Sequence, residues 1–164
     1  MQAIHEAAYE GDTEGLARAI ESGVDVDTPE TQDYDTLGMT ALHFAAYGGQ
    51  LEAGRLLLRH GADVNHCTSY GVTPLAMAAC EGNSSPLVRE LIAAGAELNH
   101  VDSKGRTALF MAAIRGNCDG IETLIGAGAD LNLASEDGWS ALRAARGNGH
   151  VAAVALLDAA GAQG

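Results

Sequence analysis

Apolar residues come in short paired stretches along this chain, never in one long run. ALHFAAY at 41–47 is followed, after a Gly-Gly-Gln break, by LEAGRLLLR at 51–59, with Leu51, Leu56 and Leu57 on one side. Both stretches have the 3.6-residue period of helices. Each is too short to be stable alone, so each must bury its face on a neighbour. Thr40, Thr73, Thr107 and Ser140 stand just ahead of the first stretches, where a hydroxyl accepts a hydrogen bond from an otherwise unpaired helix N–H. Pro74 takes a first helical position, where its missing N–H costs nothing. The Ala-Ala pairs at 45–46, 78–79 and 112–113 leave little bulk, so the first helices can approach one another closely.

Glycines set the period. Gly38, Gly71, Gly105 and Gly138 stand 33, 34 and 33 residues apart and open GMTALHFAA, GVTPLAMAA, GRTALFMAA and GWSALRAAR. Gly49, Gly82, Gly116 and Gly149 run in step with them, as do Gly61, Gly95, Gly128 and Gly161. The last series is expected to end the second helices in the left-handed conformation. Three parallel ladders predict a solenoid whose units share one core.

The unit GMTALHFAAYGGQLEAGRLLLRHGADVN resembles the ankyrin repeat, and the likeness runs over almost the whole chain. It implies one domain over 1–164: an all-α solenoid of helix-turn-helix units with β-turn or hairpin fingers, at about 1–34, 35–67, 68–101, 102–134 and 135–164. The histidine of the family pattern survives as His5 and His43 and is replaced by Ala76, Phe110 and Arg143. Two insertions break the period, five residues in DTPETQDYDTL and one in EGNSSPLV. The first is a candidate contact element, and loop tolerance accounts for the second.

Composition changes this picture in two ways. Aromatics make up only 4% of the chain against 47% apolar residues overall, so each ring deserves placing individually. The net charge of −13 is uneven: residues 1–37 carry ten acids against Arg18 alone. That pole should repel phosphate backbones, which argues against nucleic acid and for basic protein surfaces. Solvation of an acidic cap is the alternative reading. Cys67, Cys80 and Cys118 form no CxxC pair, so free thiols in a reducing compartment are expected. The absence of a basic start with an apolar core, and of an 18-residue apolar run, leads to the expectation of a cytoplasmic chain with no membrane segment.

Catalytic chemistry finds no support. None of the six histidines has metal-ligand spacing beside cysteine or carboxylate, and no nucleophile-elbow, phosphate-loop or zinc-protease motif occurs. Cys80 has no base fixed near it by the sequence. No catalytic residue, metal or cofactor is expected.

Surface remains. In the ankyrin architecture the finger tips and the outer ends of the first helices line a concave face. By resemblance, that face carries Tyr9, Leu37, Met39, Tyr47, Tyr70, Val72, Cys80, Lys104, Arg106, Ile114, Arg115, Trp139 and Arg146. Tyr34 falls in the enlarged first finger, and only Phe44 and Phe110 are assigned inside. The rings either stiffen the array or contact a partner. The cations either pair with Asp102, Glu136 and Asp137 or stay open to one.

A non-catalytic module binding a protein or peptide partner in this face is therefore expected. The resemblance brings alternatives. Asn65, Asn99 and Asn132 each follow a leucine by eight residues, similar to the pattern modified by asparaginyl hydroxylase, although Asn also closes the turn throughout the family. Inhibition or targeting of an enzyme such as a kinase is a further reading, but ankyrin inhibitors of cyclin-dependent kinases have a distorted first helix in their second repeat, whereas TALHFAAYGG is regular. The closing helix VAAVALLDAAGAQG is apolar on more than one side where a closing repeat needs a polar outer face, so the expectation is self-association through the last repeat, cover by its own tail, or a chain that once continued.

Overall fold

The computed structural model describes residues 3–31, 36–82 and 85–163. Tyr34 and the middle of DTPETQDYDTL lie outside the described residues, as do Asn83 and Ser84 of the second insertion. Ten helices occur among the described residues, in five pairs: α1 (Ala3–Glu10) and α2 (Thr13–Glu21), α3 (Ala41–Tyr47) and α4 (Leu51–Arg59), α5 (Pro74–Cys80) and α6 (Ser85–Ala93), α7 (Ala108–Arg115) and α8 (Cys118–Gly126), α9 (Ala141–Gly147) and α10 (Val151–Ala159). The odd-numbered helices pack in one row, α1 to α9, and the even-numbered ones in a second row behind it.

Local chemistry places the boundaries. The hydroxyls of Thr73, Thr107 and Ser140 accept the N–H groups of Ala76, Phe110 and Arg143, each at 3.2 Å. Gly61, Gly95, Gly128 and Gly161 follow the outer helices with φ between +84° and +95°. Gly82 departs from its ladder: Glu81 closes α5 in an extended conformation and Gly82 has no positive φ. The extra residue of EGNSSPLV falls at this turn.

The core lies between the two rows. Ala45, Ala46, Ala78, Ala79, Ala112, Ala113, Ala144 and Ala145 are fully buried in the inner row, as are Leu57, Leu87, Leu91, Ile121, Leu124 and Leu157 behind it. Gly54 shows how close the outer row packs, since a Cβ there would stand 2.5 Å from Leu87 Cδ1.

Neighbouring units are tied edge to edge. Each finger is a tight turn, with Thr68, Asp102 and Ser135 donating to the carbonyls of Val72, Arg106 and Trp139 at 2.9–3.0 Å. The N–H groups of Ser69, Ser103 and Glu136 donate backward to Leu37, Tyr70 and Lys104. Among the described residues the only β-bridge joins Ala134 and Ser140, so the fingers are turns with almost no ladder. At the opposite edge, Asn65, Asn99 and Asn132 accept through Oδ1 from Glu97, Asp130 and Gln163 at 2.8–2.9 Å, and Asp27 does the same for Asp63. The three asparagines therefore have a structural task of joining successive units.

Candidate inner-face binding site

Five of the seven aromatic residues were expected away from the core. Phe44 and Phe110 are indeed buried, whereas Tyr9, Tyr47, Tyr70 and Trp139 are 44%, 50%, 40% and 36% exposed. Tyr9 lies in the last turn of α1 and Tyr47 ends α3; their rings stack at 5.8 Å while both stay exposed. Stiffening and availability thus coincide in one pair of rings.

Two expected contact residues belong largely to packing. Met39 is only 5% exposed and joins the core, because it follows Gly38 directly into the capped end of α3. Val72, two residues before α5, is half-buried against the same core. Leu37, Cys80, Arg106 and Ile114 are half-buried, and Lys104, Arg115 and Arg146 are exposed.

Charge on this face is sorted by geometry. Arg106 reaches Asp102 through Nε at 2.8 Å and Nη2 at 2.6 Å, while the N–H groups of Lys104 and Arg106 donate to the other carboxylate oxygen. Burial alone would raise the Asp102 carboxyl, but these four bonds outweigh it and hold it below the usual carboxylate range. Arg146 pairs with Asp158 at 2.9 Å. The Arg143 guanidinium lies 5.0 Å from the Trp139 ring centre, a cation–π contact. Lys104 and Arg115 have no carboxylate within 4.0 Å among the described residues, so theirs are the open charges.

Two hollows open onto the face. A slot of about 170 Å³ is lined by Thr36, Met39, Tyr47 and Met77. A groove of about 300 Å³ between fingers four and five is lined by Lys104, Arg106, Phe110, Ile114, Ser135, Asp137 and Trp139. The Thr36 hydroxyl oxygen is buried with no hydrogen-bond partner among the described residues. Sequence reasoning places Thr36 at a finger tip but misses Met77 and the buried state of this oxygen. Met77 sits on a helix that reads as core, and an orphaned oxygen has no signature in a string of letters.

The histidines serve structure. His43 Nδ1 accepts the Thr40 N–H at 3.2 Å, and Nε2 faces the Val72 carbonyl at 3.0 Å, which selects the neutral ring protonated on Nε2. Burial lowers its pKa to about 4. His5 Nε2 reaches the Thr28 carbonyl at 2.8 Å, with Nδ1 3.4 Å from the buried Glu30 carboxylate. His150 Nε2 likewise meets the Ile114 carbonyl at 2.8 Å.

The three cysteines are free, and burial pushes the Cys67 and Cys80 thiols up, away from the nucleophilic thiolate. Cys67 Sγ lies 3.4 Å from His100 Nε2, but that nitrogen is also 3.1 Å from the Gly71 carbonyl and the thiol is aimed at Asn65 O. Among the described residues no group of three metal-ligating side chains converges, and no helix is long and apolar enough to cross a membrane.

The family model described as ankyrin repeats (3 copies) matches residues 4–102 and 75–163. None of the curated proteins matches the chain. Ankyrin repeats are in general non-enzymatic protein-interaction modules. With paired helices, turn fingers and a family match running from end to end, this chain belongs to the ankyrin-repeat family.

Proposed function

We propose that the chain binds a protein or peptide partner along the face shared by its fingers and inner helices. The observation that carries this reading is the exposure of Tyr9, Tyr47, Tyr70 and Trp139 on that face, while Phe44 and Phe110 are buried. Tyr, Trp and Arg are the side chains that dominate binding hot spots. A few fingers offer the roughly 800 Å² per partner that a standard interface buries. The open charges of Lys104 and Arg115 at one end, against the acidic first 37 residues at the other, would orient as well as attract a partner of opposite polarity.

The test uses a partner captured from the native host and the variant Tyr47→Ala, Tyr70→Ala, Trp139→Ala. All three rings are surface-exposed, so the helical circular-dichroism signal should persist. Affinity measured by calorimetry should fall by more than about tenfold. Unchanged affinity for a correctly folded variant would place the interface elsewhere.

A further inference from the structure

The two hollows of the inner face differ in chemistry. The slot between the second and third units is apolar, walled by Met39, Tyr47 and Met77, with Thr36 beside them. The volume of about 170 Å³ suits a single side chain and excludes a helix. Sulfur from two methionines adapts to an inserted aliphatic or aromatic group.

The groove between the fourth and fifth units is amphipathic. Phe110, Ile114 and Trp139 supply an apolar floor, and Lys104 stands on its wall without a carboxylate partner among the described residues. Arg115, equally open, follows Ile114 at the end of α7. Asp137 on the facing finger opposes a run of acids, so the groove fits one carboxylate beside Lys104 rather than a polyanion.

Resting on the reading of the inner face as a binding site, we infer that the two hollows act together on one extended peptide segment. An apolar side chain enters the slot and a single Asp or Glu meets Lys104. The hollows lie two units apart. Packed helices stand 8–10 Å apart, so the gap is about 16–20 Å. An extended chain advances about 3.3 Å per residue, which separates the anchor from the acid by about five or six positions.

The experiment selects a random twelve-residue displayed peptide library on the full chain, then measures a fluorescein-labelled copy of a recovered peptide by anisotropy. Recovered sequences should carry an apolar residue and an acid five or six positions apart. Met77→Trp, which fills the slot, and Lys104→Glu should each weaken binding by about tenfold, with thermal melts confirming the fold. Changing the peptide acid to Lys should restore binding to the Lys104→Glu variant. Recovered peptides without that spacing, a selection that enriches nothing, or no rescue by the charge swap would each overturn the two-point segment. Binding indifferent to both variants but lost in the Tyr47, Tyr70 and Trp139 alanine variant would overturn it while leaving the inner-face reading intact. Indifference to all of them would overturn both.

Discussion

The position three residues after the helix cap is spent differently at the two ends of the inner row. In the second unit it is His43, fully buried, bonded to Thr40 on one side and to the Val72 carbonyl of the next finger on the other. In the fourth and fifth units it is Phe110, which floors the groove, and Arg143, which lies over Trp139. Ala76 occupies it between them. A histidine bond across units holds the third finger to the second unit, whereas Arg106 and Asp102 brace the fourth finger from within and backbone bonds join it to its neighbours. Without the histidine link, the same position holds a buried ring on the groove floor in the fourth unit and an exposed cation over Trp139 in the fifth.

The sharpest way to break this comparison is to give the fourth unit the residue of the third. Phe110→Ala should cost about 3–5 kcal/mol in urea unfolding, as for a buried phenylalanine left as a cavity. A loss below about 1 kcal/mol would mean that Phe110 is surface and that the downstream position carries no packing.

Next in size is the pH response of His43. The unfolded chain takes up a proton near 6.5 and the folded ring only at about 4. The unfolded state therefore binds more protons in that interval. Stability from the neutral ring is complete above 6.5 and is lost as pH falls toward 4, by about 3 kcal/mol. Urea midpoints of the wild type and His43→Gln, compared at pH 7 and pH 4, should show a steeper acid loss in the wild type. Parallel losses would remove His43 as the cause.

Smallest is Arg143→Ala. An exposed cation–π contact contributes about 0.5–1 kcal/mol, so the melting temperature should fall only slightly. The emission of Trp139, the single tryptophan, should nevertheless shift as its neighbour is removed. No change in emission would deny the stacking.

The same positions show what could be read without coordinates. Thr73, Thr107 and Ser140 announce their helices, and the glycine period announces the fold, because caps and left-handed turns demand particular residues locally. Gly82 did not follow its ladder, since an inserted residue alters the turn geometry that the letter alone suggests. Met39 shows a related limit: it stands among finger residues, and only the three-dimensional path shows its side chain mostly in the core while it still lines the slot. Pairing is also invisible in the string. Arg106 and Arg146 look like Lys104 and Arg115 until distances show that the first two are held by Asp102 and Asp158.

The inner-face account is tested most directly by mapping amide resonances of the isotopically labelled chain as a captured partner, or a selected peptide, is added. It predicts shifts at Tyr47, Tyr70, Lys104, Arg115 and Trp139, with the outer helices α2, α4 and α6 unmoved. Shifts confined to the outer row, with the fingers silent, would contradict it.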